Sequence, residues 1–106
     1  MRSDDASRRS HSGGPWELDE FLPRFDSWAE QQHIDGDLRL LVMSWIFTRA
    51  DDPFQRAKRA EGFDNLWFAV IPNSVHGDYM ACCSYFVFVG ERLVRCDSFA
   101  SLPPPF

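Results

Sequence analysis

Apolar residues recur along this chain with two periods, and the change from one to the other near residue 63 divides it into a helical half and a stranded half. Trp16, Leu18, Phe21, Leu22, Phe25, Trp28 and Ala29 fall at spacings of three and four, which gives a helix one apolar face. Pro15 suits the first helical position, where no backbone N–H is needed. Pro23 removes a donor inside the pattern, so the spacing predicts a kink or two short helices meeting near Leu22. His33-Ile34-Asp35-Gly36 is a break. Asp35 or Asp37 can cap a second helix, running to about Arg49, with Leu38, Leu41, Val42, Trp45 and Ile46 as its buried stripe. Asp52-Pro53 repeats the cap-plus-proline pattern and predicts a short third helix over residues 53–60, stopped by Gly62.

Beyond residue 63 the pattern is that of strands. Residues 66–71 are a short apolar run of the kind found in an interior strand, closed by Pro72-Asn73-Ser74, with residues 72–78 as a connection. Residues 79–102 then read as a β-hairpin. Gly90-Glu91 fits a two-residue type II′ turn, because glycine accepts the positive φ of its first position. The implied pairs are Val89 with Arg92, Phe88 with Leu93, Val87 with Val94, Phe86 with Arg95, Tyr85 with Cys96 and Ser84 with Asp97. Alternation puts Ala81, Cys83, Tyr85, Val87, Val94, Cys96, Ser98, Ala100 and Leu102 on a core face. Met80, Cys82, Ser84, Phe86, Phe88, Leu93, Arg95, Asp97 and Phe99 lie on the other, which mixes large apolar groups with a cation and an anion. That mixture suits a half-covered or partner-facing surface.

The expected fold is α+β, two or three N-terminal helices packed on one face of a three-stranded antiparallel sheet. Its 106 residues suffice for one core. Residues 1–14, polar and glycine-rich, read as a disordered tail, residues 15–102 as a single domain, and residues 103–106 as a proline-rich tail. A net charge of −5 argues against broad electrostatic capture of nucleic acid, although not against a local basic patch. Cys82, Cys83 and Cys96 match neither a zinc-site spacing nor a secreted disulfide framework, so reduced thiols in a cytoplasm are the simpler reading. No apolar run approaches the roughly 20 residues of a membrane span, and no motif implies a cofactor or metal.

Several of these features together resemble the RelE/ParE family of small bacterial toxins. They are the paired helices, the Asp52-Pro53-Phe54 turn, the basic segment Arg56, Lys58 and Arg59, and a strand meander ending in the arginine-bearing residues 92–97. The likeness covers about residues 15–102. It implies an open sheet face that meets the target, messenger RNA in the ribosome for the nuclease branch or DNA gyrase for the other, and an antitoxin that wraps the silent toxin. Two departures are visible: the chain is acidic where such nucleases are usually basic, and the sequence before Pro15 shows no pattern for the strand that commonly precedes the first helix.

An endoribonuclease needs a base for the 2′-hydroxyl, cations for the phosphorane and an acid for the leaving oxygen. On that reading Arg95 stabilises phosphate, Lys58 and Arg59 support it, and His76 or Asp97 handles a proton. Arg56, Lys58, Arg59, Phe86, Phe88 and Phe99 would hold RNA or a protein partner. Each has a simpler alternative: a solvated basic face that also includes Arg49, an exposed loop histidine, a hydrogen bond from Asp97 to Arg95 or Ser84, and aromatic packing. A second functional class uses the same Phe86, Phe88, Leu93, Arg95 and Phe99 surface noncatalytically, to bind a protein or another copy of the chain.

Overall fold

The structure, a computed structural model, describes residues 15–103; the two expected tails, apart from Pro103, lie outside the described residues. Seven elements follow one another: β1 (Glu17–Asp19), α1 (Phe21–Gln32), α2 (Gly36–Asp51), β2 (Lys58–Arg59), β3 (Leu66–His76), β4 (Tyr79–Phe88) and β5 (Leu93–Leu102). The strands form a mixed five-stranded sheet in the order β1-β5-β4-β3-β2. Among the described residues only the β1–β5 pair is parallel. The α+β class therefore holds, with two short strands added at the edges of the expected three.

The first helix begins later than its apolar spacing suggested. Glu17-Leu18-Asp19 alternates polar and apolar and pairs with Leu93, Val94 and Arg95. Glu20, with φ 66°, turns the chain into α1. Pro23 is then the third helical residue, where the N–H has no intrahelical partner in any case, so no kink is required. Phe21, Phe25, Trp28 and Ala29 face the core. His33 closes the helix in the left-handed region with its N–H on the carbonyls of Ala29 and Glu30. The Asp35 side chain accepts the N–H of Leu38 at 2.9 Å and caps α2.

No third helix forms after α2. Asp52 Oδ1 accepts the N–H of Phe54 at 3.0 Å, which makes a turn rather than a helix cap, and Arg56 enters the left-handed region at φ 52°. The chain then runs straight into β2, opposite Trp67 and Phe68. Gly62 does adopt a positive φ, 87°, but in the turn between β2 and β3.

The strand boundaries differ from expectation in two ways. β3 continues through Pro72 to His76, with its register against β4 shifted between Val70 and Val75. There Ser74 Oγ accepts the N–H of Ala81 at 2.9 Å and donates to Ile71 O at 2.6 Å, so a hydroxyl supplies what the broken ladder lacks. The glycine-first two-residue turn occurs at Gly77-Asp78, where Gly77 has φ 59°, and not at Gly90-Glu91. Gly90 and Glu91 are the central residues of a turn closed by Arg92 N–H on Val89 O, but Gly90 does not take the positive φ that a type II′ turn requires, and Arg92 takes the left-handed position at φ 49° instead.

The predicted hairpin register is observed from Phe88↔Leu93 to Tyr85↔Cys96. Asp97 is then an extra residue, and Ser84 pairs with Ser98. Each later side chain on β5 changes face. Phe99 is the main consequence: it faces the core, 5.9 Å from Phe25 and 6.0 Å from Trp28 between ring centroids. α1 lies over β5, and α2 over β3 and beside β1, all on this side. The core unites them with Ala69, Ile71, Ala81, Cys83, Tyr85, Val87, Val94 and Cys96.

Candidate functional site

None of the described helices covers the other side of the sheet. The registers order its side chains in rows across the strands. Asp19, Arg95, Phe86 and Leu66 form one row, with Phe88 and Leu93 beside it. Ser98, Ser84, Phe68 and Lys58 form another, and Ala100, Cys82 and Val70 a third. Phe86 and Phe88 stack at 6.3 Å with 27° between their planes, as i and i+2 neighbours on one strand face do. The Arg95 guanidinium sits 5.5 Å from the Phe88 ring, and its Nε donates to Asp19 Oδ2 at 2.7 Å. The two side chains are 48% and 39% exposed, so water screens the pair and its contribution to stability is small. Its effect is on geometry: the carboxylate helps to hold the guanidinium near the Phe88 ring.

The face does not gather the expected proton-transfer residues around Arg95. Asp97 stands at the bulge, where its Oδ2 accepts from Ser84 Oγ at 2.8 Å; Ser84 in turn lies 3.0 Å from Ser98 Oγ. His76 belongs to the helix side. Its Nδ1 lies 2.8 Å from Ser74 O and its Nε2 3.0 Å from Ser101 Oγ, with the ring against Trp28 at 5.8 Å. Since a carbonyl only accepts, Nδ1 is the donor to Ser74 O. His76 also lines a separate hollow of ≈ 330 Å³ with His33, Asp35 and Tyr79.

The cations are dispersed as well. Lys58 shares the open face with Arg95 but stands three strands away, about 14 Å at roughly 4.8 Å per strand. Arg59 pairs with Trp67 on the helix-side register. Arg56 and Lys58 edge a shallow apolar groove of ≈ 500 Å³ with Ala57, Phe68 and Val70. Arg49 is buried, at 2% exposure, and is no part of a solvated cluster: it donates to Gln55 O at 2.9 Å and to Tyr85 Oη at 3.0 Å. Phe99, assigned to the open face from alternation alone, is in the core for the reason given above.

What remains on the open face is an aromatic and aliphatic surface around one paired arginine. Asp19, Leu66, Phe68 and Val70 belong to it and were not singled out in the sequence. The alternation of Glu17-Leu18-Asp19 was the available signal for Asp19, masked by a helical spacing that ran through it.

Comparison with known proteins turns on this architecture. No family model matches the sequence, and no curated protein matches it. A solved structure does: the Escherichia coli toxin RelE in the free state, in a variant with two arginines replaced by alanine, aligns with a TM-score of 0.57 over 81% of this chain and 82% of that one. The chain has a RelE-like fold. At 14% identity the likeness lies in the backbone arrangement and not in shared side chains. In this RelE-like chain the strand expected before the first helix is β1, placed after Pro15, and β1 supplies the carboxylate that meets Arg95. Among the described residues no helix is long and apolar enough to cross a membrane, and no cluster of three or more metal-ligating side chains occurs.

Proposed function

We propose that this chain is a toxin-like protein that acts by seating a protein target on its open sheet face. The observation that carries this reading is the stacked Phe86–Phe88 pair beside Arg95, on a face that no described helix covers. Aromatic rings around an arginine are the composition of interface anchors. The net charge of −5 is compatible with a protein target and unhelpful for a polyanion. Cleavage of RNA is the weaker reading, because His76 and Arg95 lie on opposite sides of the sheet and Asp97 is engaged by Ser84.

Inducible expression in bacteria tests the proposal. Growth arrest is expected from the wild type and from Asp97→Asn, and relief of arrest from Phe86→Asp, with the variant's thermal midpoint within a few degrees of the parent because Phe86 is only half-buried. Arrest that persists in Phe86→Asp, or new messenger cleavage ends that disappear in Asp97→Asn, would overturn it. Sedimentation distinguishes self-association: a wild-type dimer that Phe86→Asp converts to monomer identifies the noncatalytic, self-binding alternative.

A further inference from the structure

A second apolar surface lies on α2, away from the sheet face and independent of the reading above. This helix is apolar on both sides. Val42, Trp45 and Ile46 enter the core, whereas Leu40 and Phe47 are 67% and 57% exposed, with the half-buried Met43 between them. At 3.6 residues per turn these three form one stripe at the three-and-four spacing by which one helix seats on another. A surface helix that packs on one side only would carry polar residues there. Asp37, Ser44 and Asp51 follow one flank of the stripe at intervals of seven and are exposed. The opposite flank carries Ile46, buried in the chain's own core, and the half-buried Arg39, whose Nε donates to Ile34 O at 3.1 Å.

We infer that the Leu40–Met43–Phe47 stripe is the docking site of an amphipathic partner helix whose flanking positions carry lysine or arginine. α2 offers 16 residues, about 24 Å at 1.5 Å per residue, enough for four turns of contact. The acids at the two ends of its open flank complement a basic helix and set its register. A second copy of this chain is the poorer occupant: two α2 helices packed antiparallel would bring Asp37 of one copy to Asp51 of the other, acid against acid.

The test uses the full chain and two synthetic helical peptides that share a leucine stripe at three-and-four spacing, one with lysines along the flank and one with glutamates, in a fluorescence anisotropy titration. The lysine peptide is expected to bind, and the glutamate peptide to bind at least about tenfold more weakly. Leu40→Glu and Phe47→Glu, both at exposed positions and checked for unchanged far-UV circular dichroism, are expected to weaken the lysine peptide by about tenfold or more. Phe86→Asp should leave its affinity unchanged, which separates this site from the sheet face. Asp37→Lys combined with Asp51→Lys should reverse the preference between peptides. Equal binding of the two peptides, absence of saturable binding by the lysine peptide, insensitivity to Phe47→Glu, or a wild-type dimer that Phe47→Glu dissociates would overturn the inference.

Discussion

Arg49 lies in the core with its guanidinium held by neighbours on every nitrogen. Its Nη1 donates to Gln55 O and Tyr85 Oη, its other nitrogens face Thr48 Oγ1, and its guanidinium lies 4.6 Å over the Trp45 ring. Tyr85 Oη in turn donates a hydrogen bond to Pro53 O at 2.6 Å. Carbonyl dipoles and π faces thus replace water around the cation, and the network ties the end of α2 to the turn before β2. Tyr85→Phe should cost about 1–2 kcal/mol, and Arg49→Ala about 3 kcal/mol, since the latter strands several buried acceptors; urea unfolding measures both. This role was not legible from the residues alone, because an arginine near a helix end is usually solvated and only the distant Tyr85 makes it otherwise. Two neighbouring groups set the alkaline limit. Burial, reinforced by the Cys96 thiol 3.9 Å away, pushes the Cys83 thiol well above its ordinary range, and burial also raises Tyr85. Both are neutral acids, so the folded state keeps protons that the unfolded chain releases above about pH 9 to 10. Stability is then fully present below that range and falls as pH rises through it, by up to about 1.4 kcal/mol per pH unit for each such group. Thermal melts at pH 8 and pH 10.5 should show a lower midpoint at the higher pH.

Among the elements, the bulge at Asp97 has the largest effect, because one extra residue decides which side of the sheet Phe99 occupies. Because Asp97 is the unpaired residue, deleting it would leave Ser98 opposite Ser84 and Phe99 opposite Cys83, so Phe99 should keep its place against Phe21, Phe25 and Trp28. The expected loss is about 1 kcal/mol, that of the bulge's local contacts; a loss of about 3–5 kcal/mol in urea unfolding of the deletion variant, comparable to truncating a buried phenylalanine, would refute this. α1, α2 and the hairpin register up to Cys96 were legible in the sequence, since a helical stripe and strand alternation are local signals. The bulge was not, because Cys96-Asp97-Ser98 contains no glycine or proline to announce it. β1 escaped because three residues form a strand only where β5 is present to receive them, and β2 because its two residues depend likewise on Trp67 and Phe68. Pro23 and Pro72 were both taken as breaks. One lies in the first helical turn and the other where the ladder is already irregular, and there a missing N–H costs little.

For the molecule as a whole, the sheet divides the chain into a helix-covered side that holds it together and a side with the half-buried Phe86 and Phe88 and the exposed Arg95, over which no described helix lies and on which Met80 and Cys82 are buried. Of the candidate site, the sequence identified Phe86, Phe88 and Arg95 as neighbours, because the local pairing rule suffices for them. It could not show that Lys58 lies across the sheet or that His76 faces α1, since both depend on strand order. One further property follows from the brevity of β2. It flanks β3 only at Trp67 and Phe68, which leaves the rest of that outermost long strand with no described strand beside it. Such a border invites stacking between molecules into fibrils. Pro72 and the left-handed Asn73 interrupt it midway, so no straight stretch is long enough to recruit a neighbour. Replacing Pro72 with valine would lengthen that stretch, and thioflavin fluorescence should then rise sooner on incubation of the concentrated variant than of the parent. The irregularity in β3 would thus act as a safeguard of solubility.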